Sequence, residues 1–143
     1  MLTVIAEIRT RPGQHHRQAV LDQFVKIIPT VLKEEGCHGY APMVDAATDA
    51  SFQATAPDSI IMVEQWETVA HLEAHLQTAH MKAWSDAVKG DVLETHIRIL
   101  EQGVYVPPTP PSPTGRGRTE PGPVSVSATG FFYQLKTQLL CLF

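Results

Sequence analysis

The sequence predicts an α+β fold of four strands and two helical regions, and three observations carry that prediction. Leu2, Val4, Ala6 and Ile8 alternate with Thr3, Ile5, Glu7 and Arg9, the period-two pattern of a half-buried strand. Val20, Phe24, Ile27, Ile28, Val31 and Leu32 instead recur at helical spacing. Between residues 60 and 67 both faces of a third extended segment are apolar, Ile60, Met62 and Trp66 on one side and Ile61 and Val63 on the other.

Taken in order, the first strand ends at Pro12-Gly13, and the helix runs from Gln14 to Glu35, with Gly36 as its stop signal. Pro29 removes one backbone hydrogen bond late in that helix and crowds the preceding turn. Cys37 to about Ala46 reads as a second strand, which Pro42 confines to an edge or a bulge. Asp45 to Ser59 is a polar, small-residue connection long enough to serve as a lid. After the third strand, Val69–Gln77 and Met81–Lys89 are helical pieces broken near Thr78, and Gly90 stops the second. Val92 to Glu101 alternates again, with Leu93, Ile97 and Ile99 on an apolar face and Glu94, His96 and Arg98 on a charged one. Strand, helix, strand, strand, helix, strand is the ferredoxin-like order, with both helical layers on one face of a four-stranded antiparallel sheet.

This domain spans residues 1–106. Residues 107–143 follow different rules, because Pro107 to Pro123 holds seven of the chain's eleven prolines and reads as extended linker. Gly130 to Phe143 is apolar again but too short to fold alone or to cross a bilayer.

Composition narrows the function classes. A net charge of −4 offers no field for phosphate backbones, and no Lys/Arg cluster interleaves with aromatics, so nucleic acid is excluded as a partner. No apolar run reaches the ~20 residues of a membrane span, and the start of the chain lacks the basic region of a signal peptide, so the expected location is cytoplasmic. Cys37 and Cys141 define neither a disulfide framework nor a metal knuckle. Gly-rich phosphate loops and the GxSxG elbow are absent.

The densest chemistry lies in the run from Glu64 to His80. His71 and His75 are four residues apart and share a helix face, a spacing able to grip a metal. A zinc-protease helix needs a glutamate directly after the first histidine, whereas here Glu73 lies two positions on, so no metal is assigned. Glu64 shares a strand face with Met62 and Trp66, and a carboxylate among apolar neighbours is unfavourable unless it is paired or used. Two uses stand open: orienting a nearby imidazole, or an ion pair with Arg9 or Arg98 across the sheet.

These residues carry a resemblance. Arg11-Pro12-Gly13 closing the first strand, Glu35-Gly36-Cys37 with Tyr40 behind the first helix, and Glu64-Gln65-Trp66-Glu67 leading to His71, His75 and His80 together resemble the antibiotic-biosynthesis-monooxygenase (ABM) domain family, and within it the small bacterial quinol monooxygenases. The resemblance runs from Met1 to about Val104 and implies a homodimeric α/β barrel in which two sheets face each other. It further implies cofactor-independent oxidation of a naphthoquinol-type quinol to the quinone by molecular oxygen, without flavin, haem or metal, with a quinone reductase supplying the quinol. On that basis His75 is the expected base, with Glu64 orienting it and His71 in reserve, while Trp66, Met62, Tyr40 and His80 are the expected substrate contacts. Haem-degrading relatives use a pocket asparagine, and this chain contains none. The competing expectation is a non-catalytic dimeric barrel that binds quinones or other small aromatics.

Overall fold

The computed structural model describes residues 1–110, and the expectations for residues 111–143 lie outside them. Seven elements follow one another: β1 Leu2–Thr10, α1 Gln14–Val31, β2 Cys37–Met43, β3 Ser59–Trp66, α2 Val69–Leu76, α3 Ala79–Val88 and β4 Val92–Leu100. The strands make one antiparallel sheet in the order β2-β3-β1-β4, so the two central strands are the first and third in sequence, as in a ferredoxin-like fold. Pro42 is accommodated because β2 lies at an edge.

Alternation decides what each strand buries. Val4, Ala6 and Ile8 of β1, Tyr40 of β2, and Ile60, Met62, Glu64 and Trp66 of β3 are all buried, as are Val20, Phe24, Ile27 and Val31 of α1, Leu72 and His75 of α2, and Trp84 and Val88 of α3. These side chains form a single core between the helical layer and one sheet face. On the opposite face Ile5, Ala41, Ile61 and Val63 are only half-buried, and no described helix covers them. Beside them β4 carries Glu94, His96 and Arg98; Arg9 donates to Glu94 at 2.8 Å.

Three departures from the sequence-based expectation have local causes. β4 slips register where Arg9 pairs with Glu94 and Thr10 with Val92, and the skipped Leu93 is exposed instead of sharing the apolar face of Ile97. β2 ends at Met43, leaving residues 44–58 as a loop held by its own polar groups, among them the Gln53 amide donating to the Ala46 carbonyl at 2.9 Å. α1 ends at Val31, four residues early. From there Lys33, Glu34 and Cys37 donate backbone bonds to Thr30, Val31 and Glu34, each three residues back, so the helix tightens into successive turns. Gly36 closes this segment at φ +77°, a conformation that glycine adopts without steric penalty.

Candidate active site

The tightened turn after α1 is what brings the site together. It swings Glu34 inward, where a single oxygen, Oε2, lies 2.7 Å from His75 Nδ1 and 3.0 Å from His80 Nε2. A carboxylate only accepts, so each imidazole donates through the nitrogen named, and His75 is left with a bare Nε2 as its proton-accepting atom. Exposure rises along the chain of contacts: the side chain of His75 is 1% exposed, that of Glu34 14% and that of His80 23%. Burial lowers the His75 pKa below its ordinary value, and the Glu34 contact opposes that fall without cancelling it.

The α2–α3 corner places the two histidines. Thr68 caps α2, its hydroxyl accepting from the His71 amide, and Thr78 caps α3 by accepting from the Met81 amide. The Thr78 hydroxyl also donates to the His75 carbonyl at 2.8 Å, tying the end of α2 to the start of α3. His80 therefore enters from α3 toward the same carboxylate that His75 reaches from α2.

Aromatic rings surround the imidazole. The Trp66 ring centroid is 4.8 Å from that of His75, and Tyr40 meets His75 edge-on at 5.3 Å. Behind them Phe24 packs on Trp84 at 4.7 Å and edge-on to Tyr40 at 6.1 Å. The Tyr40 hydroxyl reaches Met81 Sδ at 3.9 Å, and burial together with the charges of Glu64 and Glu34 raises its pKa. Met62 is fully buried on the same sheet face.

Glu64 occupies the position expected of it but keeps different company. Its Oε2 accepts from Trp66 Nε1 at 2.8 Å, and the imidazole-orienting role expected for it is filled by Glu34. Neither Arg9 nor Arg98 is its partner, because alternation sends those side chains to the opposite sheet face. Burial, opposed by the Trp66 hydrogen bond, pushes the Glu64 pKa up to about 7. His71 also stands apart. It packs over Gly36, donates or accepts with the Thr68 hydroxyl at 2.9 Å and lies 3.8 Å from Glu35, outside the Glu34 cluster.

Glu34, Phe24, Met81 and Trp84 were not among the expected site residues. The spacing of the buried stripe in α1 held a signal for Glu34: Phe24, Ile27 and Val31 continue at helical intervals onto position 34, where a carboxylate interrupts an apolar face.

Comparison with known proteins fixes the wider context. Residues 1–87 match the antibiotic biosynthesis monooxygenase family. The chain belongs to that family. It is 81% identical over 104 residues to the probable quinol monooxygenase YgiN of Escherichia coli K12, covering 73% of this chain and all of that protein, and equally so to the protein of that name in Shigella flexneri. Among solved structures, PA3566 of Pseudomonas aeruginosa aligns with a TM-score of 0.59 at 26% identity, over 72% of this chain and 94% of its own. A putative antibiotic biosynthesis monooxygenase from Nitrosomonas europaea aligns at 0.60 and 18% identity, over 73% and 100%, which shows the shared fold. The four-stranded ferredoxin-like architecture of this ABM chain is thus the family's own.

Proposed function

We propose that this ABM-family chain is a quinol monooxygenase that oxidises a naphthoquinol-type quinol with molecular oxygen, using His75 as its base. The observation that carries the reading is the buried imidazole between Trp66 and Tyr40 whose Nδ1 is committed to Glu34. That commitment fixes the tautomer and leaves Nε2 to take a phenolic proton. The protonated ring is then stabilised by the Glu34 carboxylate at 2.7 Å, in surroundings dry enough for the charge pair to be strong. The deprotonated quinol is electron-rich and passes an electron to oxygen, giving a semiquinone and superoxide; superoxide then takes the second electron and proton from the semiquinone and the proton held on His75, so that quinol and oxygen leave as quinone and hydrogen peroxide. Trp66, Tyr40 and Met62, buried on the sheet face that carries Glu64, are apolar and aromatic side chains of the kind that pack against a flat bicyclic ring. The name of the 81% identical relative supports the same activity.

The sheet face that no described helix covers, centred on Ile5, Ile61 and Val63, supports a homodimer built sheet to sheet. A separate quinone reductase would regenerate the quinol from quinone.

Oxygen uptake with a chemically reduced naphthoquinone and metal-stripped protein tests the activity. Acceleration over spontaneous autoxidation is expected, and His75→Ala is expected to lower kcat by at least about a hundredfold, the usual contribution of a positioned base. Quinone binding without accelerated uptake would instead leave a non-catalytic binder of aromatics.

A further inference from the structure

We propose that Glu34, His75 and His80 also form a binding site for a divalent transition-metal ion of the zinc type, and that filling it silences the enzyme. The silencing half rests on the reading of His75 Nε2 as the base.

Three donors from three separate segments converge there. Glu34 Oε2 comes from the turn after α1, His75 Nδ1 from α2 and His80 Nε2 from α3, and all three atoms lie within 4.8 Å of one another. Two imidazoles and one carboxylate form a donor set suited to zinc and its neighbours, with a fourth position left for water. Metal–ligand bonds of about 2.0–2.2 Å in a tetrahedron set donor atoms about 3.3 Å apart. The present separations of 2.7 and 3.0 Å to Glu34 are those of hydrogen bonds, while the three atoms together span up to 4.8 Å, so to admit an ion of that size the carboxylate must withdraw by about 0.5 Å and the two imidazole nitrogens must close by up to about 1.5 Å. Glu34 sits in a turn rather than in the helix, and it and His80 are the partly exposed members through which such shifts are easiest.

Charge points the same way. Among the described residues the ion-pair partners of Glu34 are the two histidines alone, and buried Glu64 is held by an indole N–H, so neither carboxylate meets a Lys or Arg. Burial raises the pKa of Glu64, and the negative charge of Glu34 adds to that rise. A cation between the imidazoles and Glu34 would relieve both.

The effect on the base follows from proton positions. Both imidazoles now carry their proton on the nitrogen facing Glu34. Coordination through His75 Nδ1 and His80 Nε2 moves each proton to the far nitrogen of its own ring, with no proton or electron gained or lost overall. His75 Nε2 then carries a hydrogen and can no longer accept one from the quinol. The metal ties α2 and α3 to the turn after α1 and converts the site to an inactive form.

Calorimetric titration of zinc into the metal-stripped full-length chain tests the site directly, with cobalt as a spectroscopic probe of tetrahedral coordination. Binding at one ion per chain, visible cobalt bands and a higher melting temperature reversed by chelator are expected. Glu34→Gln and His80→Ala, each confirmed as folded by circular dichroism, should weaken binding by at least about tenfold. The double change of His15 and His16 to Ala, an adjacent histidine pair outside the site, should leave binding unaltered. No binding, binding indifferent to Glu34→Gln and His80→Ala, or binding abolished by the His15/His16 change would overturn the metal site. Oxygen uptake should fall in proportion to zinc occupancy. Undiminished uptake at full occupancy would overturn the silencing and, with it, Nε2 as the base. Should the metal-stripped enzyme show no uptake at all, the activity reading falls while the titration still decides the site.

Discussion

Glu64 is the residue whose physics is most exposed to measurement. Its carboxyl group is buried beside Met62 and Trp66, and its pKa rises from 4.5 to about 7 on folding. Between those values the folded chain holds a proton that the unfolded chain has lost. Stability is therefore fully present below about pH 4.5 and falls as pH climbs through 7, by on the order of 3 kcal/mol. Glu64→Gln keeps an acceptor for Trp66 Nε1 and removes the ionisation. Chemical denaturation should find this variant more stable than the parent at pH 8 by up to that amount, and nearly equal to it at pH 4.5. A parent protein whose stability rises between pH 5 and 8 while the variant's does not would contradict the assignment. Glu34 behaves differently because it is paired. Glu34→Gln leaves His75 without a carboxylate to stabilise its charged form, and about a tenfold or greater loss of kcat with little change in KM is expected in steady-state oxygen uptake.

At the scale of elements, the joint between α1 and β2 controls the site. Gly36 holds φ +77°, and a Cβ there would lie 2.3 Å from His71 Cγ, so Gly36→Ala meets both backbone strain and a clash. A loss of about 2 kcal/mol in unfolding free energy is expected, with kcat falling as well because the same turn aims Glu34 at His75. A second change, His71→Ala, removes the imidazole ring but leaves its Cβ 2.8 Å from the new methyl and the backbone strain in place, so it should restore only part of that stability. This joint also marks where sequence reasoning stopped. Alternation in β1 and β3 grouped Val4 with Ala6 and Ile8, and Glu64 with Met62 and Trp66, each set on one strand face, since a one-residue slip would reverse every side chain, but it did not say which face the helices cover. Thr78, the cap of α3, likewise marks the break between α2 and α3. Alternation fixes a face but not a distance along it, and so it could not tell whether Glu64 or another acid would meet His75. The answer depended on α1 ending at Val31. Nothing at positions 32–35 breaks a helix by propensity, so the tightened turns that aim Glu34 at His75 leave no mark in the local sequence.

At the scale of the molecule, the described residues cover only one face of the sheet. Helices seal the face bearing Val4, Met62 and Trp66, while Ile5, Ile61 and Val63 lie half-open at the centre of the other, in strands paired Ile5 to Val63 and Val63 to Ala41. An apolar centre flanked by the Arg9–Glu94 pair on the β4 side has the layout of an interface core with a polar rim. The 104 residues that align with YgiN make up the whole of that protein, so a chain cut after Val106 should keep both its association and its oxygen uptake. Light scattering on the full-length and shortened chains is expected to give the mass of a dimer in each case. Val63→Lys then places an unpaired ammonium at the centre of the joined sheets, where its desolvation is unfavourable by several kcal/mol. Dissociation should become about a hundredfold easier or more, giving a monomer by light scattering at micromolar concentration with its far-ultraviolet circular dichroism intact. Because Val63 faces away from His75, oxygen uptake by that monomer separates two roles for the second chain. Retained uptake means that each protomer holds a complete site, as the Glu34–His75–Trp66 cluster drawn from one chain implies; lost uptake means that the pairing of sheets is needed to keep β3, and with it Glu64 and Trp66, in place.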